Sequence, residues 1–215
     1  MIRAVVLISG RGSNLAALLA ASLPVEFAAV ISNRPQAEGL EHARRRGIPA
    51  IALDHRNYAE RTAFDAELMR HIDAYRPDVV VLAGYMRILT EGFVAHYADR
   101  LVNIHPSLLP AFPGLDTHRR ALAEGVKIHG CTVHFVTDRV DHGPIIAQAA
   151  VPVLSDDTEA TLAQRVLAQE HRLYPMALRW LAEGRIEIVD GVARVSGEAS
   201  QALLVPVSGP HGTPA

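Results

Sequence analysis

The chain has 215 residues, 49% of them apolar and 20% charged, enough hydrophobic material for one domain with a real core and too little for two large ones. Lys+Arg 21 against Asp+Glu 23 leaves a formal charge of −2, which excludes the basic excess of a protein that grips nucleic acid by its phosphates and favours small-molecule chemistry. The single cysteine, Cys131, excludes an intrachain disulfide, and the short apolar stretch after Met1 has the pattern of neither a membrane span nor a signal peptide, so a cytoplasmic protein is expected.

Residues 4–8 form an apolar run closed by Ser9-Gly10-Arg11-Gly12-Ser13-Asn14, after which Leu15, Leu18 and Leu19 recur at helical spacing, predicting strand, tight loop and helix. A second strand is predicted over 25–31, stopped by Ser32-Asn33-Arg34-Pro35, then a helix over 37–46 ended by Gly47. Residues 48–53 read as a third strand, and 58–75 as a helix whose Phe64, Leu68 and Ile72 share one face. Residues 78–83 are apolar after Asp78, the pattern of a strand covered on both faces and therefore central in its sheet. Beyond residue 125 the runs 127–136 and 144–153 are β-rich and joined by a loop, which predicts an antiparallel extension. Asp156, Asp157 and Thr158 cap a long helix with Leu162, Val166, Leu173, Met176 and Trp180 as its core stripe, Pro175 inside it and Gly184 at its end. A closing hairpin over 185–189 and 192–195 turns at Asp190-Gly191, and 196–215, rich in small residues, Gly and Pro, is expected to be a flexible tail.

This order predicts an α/β fold: a doubly wound, mainly parallel central sheet with helices on both faces and an antiparallel C-terminal extension, in a single domain over 1–195. Such sheets bind ligands at the carboxyl ends of their strands, where the loops at Gly10, Gly84 and His105 all fall. The first loop lacks the third glycine of a dinucleotide fingerprint, Leu15 standing there, but small residues ahead of a helix expose backbone N–H groups to a phosphate; they would equally serve a sharp turn. In Asn103-Ile104-His105-Pro106, an amide and an imidazole two residues apart on a strand point the same way and could share one reacting oxygen, Asn as donor and protonated His as donor and proton relay. The alternative is that both only satisfy turn backbone. Asp141, in the loop between the two late β runs, could face His105 and favour its imidazolium, or be a solvated turn residue. His129 and His134 fall on opposite faces of one strand and His42, His71 and His96 on helix surfaces, with no metal-ligand spacing; Ser107 reads as a loop-ordering residue. There is no Gly-x-Ser-x-Gly elbow and no P-loop.

The segments VVLISGRGSNLAALL, ISNRP, DVVVLAGYMRIL, NIHPSLLPAFPGLDTH, HGCTVHFVTDRVDHGPIIAQ and QEHRLYP, spread in order to about residue 189, resemble the glycinamide ribonucleotide formyltransferase family. The resemblance implies the formyltransferase fold, with a nucleotide-binding half over about 1–100 and a folate and catalytic half over about 101–195. It implies transfer of the formyl group of 10-formyltetrahydrofolate, a co-substrate, to the amine of 5′-phosphoribosylglycinamide in purine synthesis. The partners it implies are small molecules, without metal, nucleic acid or membrane, for a monomer or a homodimer. Its catalytic set falls on Asn103, His105 and Asp141. Gly12, Ser13 and Asn14 would hold the ribonucleotide phosphate, and Glu170, otherwise an ordinary helical surface acid, would meet the glycinamide end. Met86, Arg87, Ile88 and Leu89 would line the folate cleft together with Asn103, and Arg61 would face the glutamate tail; without the family match Met86, Ile88 and Leu89 would be read as core. Arg11 and His142 depart from the family pattern. Formyltetrahydrofolate hydrolases and methionyl-tRNA formyltransferases share the trio, but usually carry a further domain before or after it, and the loop 113–118 is closer to the purine enzyme's version.

Overall fold

Strand β1 (Ile2–Ile8) buries alternate residues into two separate cores, Ala4, Val6 and Ile8 on one side and Val5 and Leu7 on the other, as a strand covered on both faces must. The computed structural model, which describes residues 1–206, builds an eight-stranded sheet around it. Helix α1 (Ser13–Ala20) returns the chain to β2 (Val25–Ser32), and α2 (Gly39–Arg44) leads to β3 (Ala50–Ala52) at one sheet edge. The chain then crosses through α3 (Arg61–Asp73) to the other side of β1, where β4 (Val79–Leu82) pairs parallel with it. This reversal of direction opens a crevice above the carboxyl ends of β1 and β4.

Helix α4 (Glu91–His96) and β5 (Leu101–His105) extend the parallel set, and α5 (Thr117–Ala123) precedes the antiparallel pair β6 (Ile128–Phe135) and β7 (Ile145–Pro152). The long helix α6 (Glu159–Ala182), opened by a Thr158 and Thr161 capping box, runs uninterrupted through Pro175. It packs on the core that also takes Leu15 and Leu18 of α1, while Phe64, Leu68 and Ile72 of α3, Phe93 of α4 and Tyr97 just past that helix fill the opposite one. Each of these α3 side chains contributes roughly 1.5–3 kcal/mol by leaving water. With β10 at Ala202–Leu204, the sheet order is β10-β7-β6-β5-β4-β1-β2-β3, and β8 (Ile186–Val189) and β9 (Val192–Val195) form a separate hairpin.

Four elements differ most from expectation. The helix expected from residue 58 starts at Arg61, because Asp54 accepts the Arg56 N–H and opens a 3-10 turn at His55–Asn57. Helices α4 and α5 were absent from the sequence reading: six and seven residues are too few to show a period. The tail expected to be free from residue 196 contains β10 (Ala202–Leu204), which pairs parallel with β7 and covers that strand's otherwise open edge. Gln201 fixes it there, its Nε2 donating to the Ile146 carbonyl at 2.6 Å and the Ala193 carbonyl at 3.2 Å. The remainder of that expectation, 207–215, lies outside the described residues.

Candidate active site

The antiparallel register of β5 on β6 sets Asn103 opposite His134 and His105 opposite Thr132. Asn103 and His105 share a strand face, and Asp141 comes to them from the β6–β7 loop. Its carboxylate Oδ2 stands 3.5 Å from His105 Nδ1 and accepts the Gly114 N–H at 2.8 Å, while Oδ1 lies 3.9 Å from His134 Nε2. His105 Nε2–H donates to the Phe112 carbonyl at 3.0 Å, which turns Nδ1 toward Asp141. Asp141 holds a left-handed φ of 54°, and Gly143 beyond it is obligatory, since a Cβ there would stand 1.8 Å from the Phe135 carbonyl oxygen.

His134 lies by the other oxygen of the Asp141 carboxylate. Burial holds its imidazole below the usual range and hence neutral, more strongly than the Phe135 carbonyl and the Asp141 charge raise it. Its Nδ1–H donates to the Phe135 carbonyl at 2.8 Å, which leaves the Nε2 lone pair to accept from Asn103 Nδ2 at 3.4 Å. One Asn103 amide hydrogen is thereby committed and the other has no partner among the described residues. Thr132 braces the floor: its hydroxyl donates to the Ser107 carbonyl at 2.7 Å and accepts the Leu109 N–H at 3.0 Å. Ser107 acts within the same loop, donating to the Ala111 carbonyl at 2.7 Å.

On the far side of the crevice, Gly12 caps α1 with a left-handed φ of 73° and no side chain among the described residues caps the helix, leaving the first-turn N–H groups open to an anion. The turn rests on α2: the Gly39 N–H donates to the Gly10 carbonyl at 3.0 Å, and a Cβ on Gly12 would stand 2.7 Å from Gly39 Cα. Gly12 and Ser13 thus sit where the sequence placed them, while the Asn14 side chain turns inward and donates to Glu170 Oε2 at 2.6 Å. Asn14 offers the anion site its backbone N–H. Glu170 is a buried acid at the base of this pocket, not a surface one, and burial pushes its carboxyl above the usual range against the pull of Asn14. Arg11 and His142 are both exposed.

Between these clusters lies the segment after β4. Met86 and Ile88 are 58% and 60% exposed, which rules out the core reading for both; Leu89 is half-buried and packs on the α3 core. Arg87 stacks over the Phe64 ring at 4.8 Å, and Arg61 donates from Nη1 to the Ile88 carbonyl at 3.0 Å. Cavities of about 460 Å³ beside β8 and β9 and about 260 Å³ beside Arg34 and His55 contain none of these residues. The candidate site is the open crevice itself.

A family model described as "Formyl transferase" matches residues 2–178. The chain belongs to the formyl transferase family. Phosphoribosylglycinamide formyltransferase of Escherichia coli K12 is 51% identical over 198 residues, 90% of this chain and 93% of that one. The trifunctional purine biosynthetic protein adenosine-3 of Drosophila melanogaster is 48% identical over 204 residues, 92% of this chain and 15% of that larger protein. Among solved structures, glycinamide ribonucleotide transformylase 1 from Symbiobacterium toebii superposes with a TM-score of 0.88 at 54% identity, covering 91% of this chain and 94% of that one. The mixed sheet and crevice described above are the fold of this formyl transferase.

Sequence reasoning missed His134 and Thr132 in the formyl transferase crevice. Residue parity put His134 on the opposite strand face from His129, but only the β5–β6 register tells which face looks at Asn103. Among the described residues, no group of three or more His, Cys, Asp or Glu side chains is placed to hold a metal, and no helix is long and apolar enough to cross a membrane.

Proposed function

We propose that this chain transfers the formyl group of 10-formyltetrahydrofolate to the amine of 5′-phosphoribosylglycinamide, a step of de novo purine synthesis. The observation that carries the reading is the convergence of Asn103, His105 and Asp141 on one spot between an uncapped helix N-terminus and an exposed apolar wall. The uncapped turn at Gly12, Ser13 and Asn14 receives the phosphate, and the buried Glu170 beside Asn14 receives the glycinamide end. Met86, Ile88 and Leu89 line the pterin side with Arg87 and Asn103, and the exposed Arg61 guanidinium keeps donors free for the folate carboxylates.

In the reaction the neutral amine attacks the formyl carbon, and the carbonyl electron pair becomes an oxyanion. The free amide hydrogen of Asn103 and the Nδ1–H of His105 donate to it. The carbon–N10 bond then breaks, N10 takes a proton, and the former amine gives one up through water beside Asp141. Both steps need only positioning, charge stabilisation and proton transfer. Incubating the protein with both substrates and following deformylated folate by absorbance tests the reading; turnover that ignored glycinamide ribonucleotide would identify a hydrolase instead. Asn103→Ala and His105→Ala are each expected to lower kcat about 100- to 1,000-fold while changing either KM by less than about threefold. Near-normal turnover in either variant would overturn the assignment.

A further inference from the structure

The segment 84–90 has no regular secondary structure, yet it forms the exposed wall assigned to the folate. Its shape is imposed from outside, at both ends. At the first end stands Ser9, a buried residue at the close of β1, whose N–H donates to the Gly84 carbonyl at 3.1 Å. The Ser9 hydroxyl accepts the Met86 N–H at 2.8 Å and donates to Asn33 Oδ1 at 2.6 Å, so its position is set by the residue that follows β2. At the second end Asp65, 1% exposed, accepts the Thr90 N–H at 2.8 Å, and Thr90 in turn caps α4. Arg61, one helical turn before Asp65 on the same α3 face, holds the Ile88 carbonyl between them.

Asp65 is the anomalous member. Its Oδ1 is buried without a hydrogen-bond partner among the described residues, as are Tyr85 Oη and Arg87 Nε of the segment it supports. A buried carboxylate satisfied on one oxygen is a costly means of anchoring one N–H, and such breaches of local rules concentrate where a functional shape is being maintained. Neither side chain lines the crevice: Ser9 and Asp65 are both buried behind the wall.

We infer that Ser9 and Asp65 are positioning residues for the folate wall: they clamp the two ends of segment 84–90 and so set how Met86, Ile88 and Leu89 are presented. This rests on the folate reading given above. The test compares Ser9→Ala, which changes no volume beyond one hydroxyl, Asp65→Ala, and Asp65→Asn, whose amide oxygen still accepts the Thr90 N–H. Hydrogen exchange is read at the Met86 and Thr90 amides of the ligand-free protein, binding with 5-formyltetrahydrofolate as a non-transferable probe, and turnover with both substrates. Ser9→Ala is expected to release the Met86 amide and Asp65→Ala the Thr90 amide. Each should weaken the folate probe, and raise the KM for 10-formyltetrahydrofolate, by about five- to tenfold. The KM for glycinamide ribonucleotide and kcat at saturating folate should stay within about twofold, and Asp65→Asn should restore most of the loss. Unchanged exchange at both amides, or released amides with unchanged folate affinity, would overturn the inference. Failure of the wild-type protein to bind the probe would overturn the folate reading instead, while the exchange rates would still decide whether the two residues hold the segment.

Discussion

An amide side chain is useful in catalysis only if it cannot flip, and Asn103 gains its orientation from His134. The neutral imidazole presents a lone pair to one amide hydrogen at 3.4 Å, which sends the other toward the space beside His105 and Asp141. Removing the imidazole should therefore act through Asn103 and not beside it. His134→Ala is expected to lower kcat about tenfold in the wild-type background and no more than about twofold when Asn103 is already alanine; a double-mutant cycle in kcat measures the difference. Equal losses in both backgrounds would make His134 an independent contributor. The placement of Asn103 and His105 on one strand face was legible because strand parity aligns them, and that of Asp141 near them because the flanking motifs are distinctive. His134 and the inward turn of Asn14 were not: the first depends on the register between β5 and β6, the second on the packing of α1 against α6, and neither is a property of local sequence.

At the scale of elements, the turn at Gly10–Gly12, proposed to receive the phosphate, is shaped by a helix from elsewhere in the chain. Gly39 opens α2, and a Cβ there would stand 2.7 Å from Ile8 Cδ1 and 3.0 Å from both the Gly10 carbonyl oxygen and Gly12 Cα. Helix propensity alone would reward Gly39→Ala by about 1 kcal/mol, whereas forcing a methyl against backbone costs about 1–3 kcal/mol, so displacement of the turn wins. Gly39→Ala is expected to raise the KM for glycinamide ribonucleotide several-fold while sparing the folate KM, as steady-state kinetics with each substrate varied will show; an unaltered KM would mean that α2 yields and the turn does not depend on it. The elements read from sequence include those with a sustained pattern, β1, β2, β4, β6, β7, α6 and, but for its start, α3, together with α1 and the β8–β9 hairpin, which turn residues bound. Those missed are short or set among turn residues. Helices α4 and α5 lack a period, and β10 is a three-residue strand whose pairing comes from the open edge of β7 and the Gln201 side chain.

The molecule as a whole responds to pH through histidines buried behind the site. His129, on the β6 face opposite to His134, is 1% exposed, with its ring 5.8 Å from that of Phe112 and 5.2 Å from that of His118. Burial, reinforced by the charge His118 would carry, lowers its imidazole from 6.5 to about 4. The unfolded chain therefore takes up this proton first as pH falls: the stabilising effect of a neutral His129 is complete above about 6.5, declines between about 6.5 and 4, and is fully lost below that. From pH 7.5 to 5.5 the loss amounts to about 1 kcal/mol from His129 alone, with an upper bound of about 3 kcal/mol at lower pH. His118 and His134, also held low by burial, act in the same direction. Asp157, whose carboxyl the paired Arg165 holds far below the carboxylate range, loses its stabilising charge only in more acidic solution and does not confuse the window. Glu170, whose carboxyl burial pushes up, gains stability as pH falls and so opposes the histidines equally in wild type and variant. Urea unfolding at pH 7.5 and 5.5 should accordingly show a pH-induced change that differs by about 1 kcal/mol between the wild-type protein and His129→Leu. An identical change in the variant would mean that His129 titrates normally in the native protein, and that the loop carrying Phe112, which also orients His105, is open to water in solution.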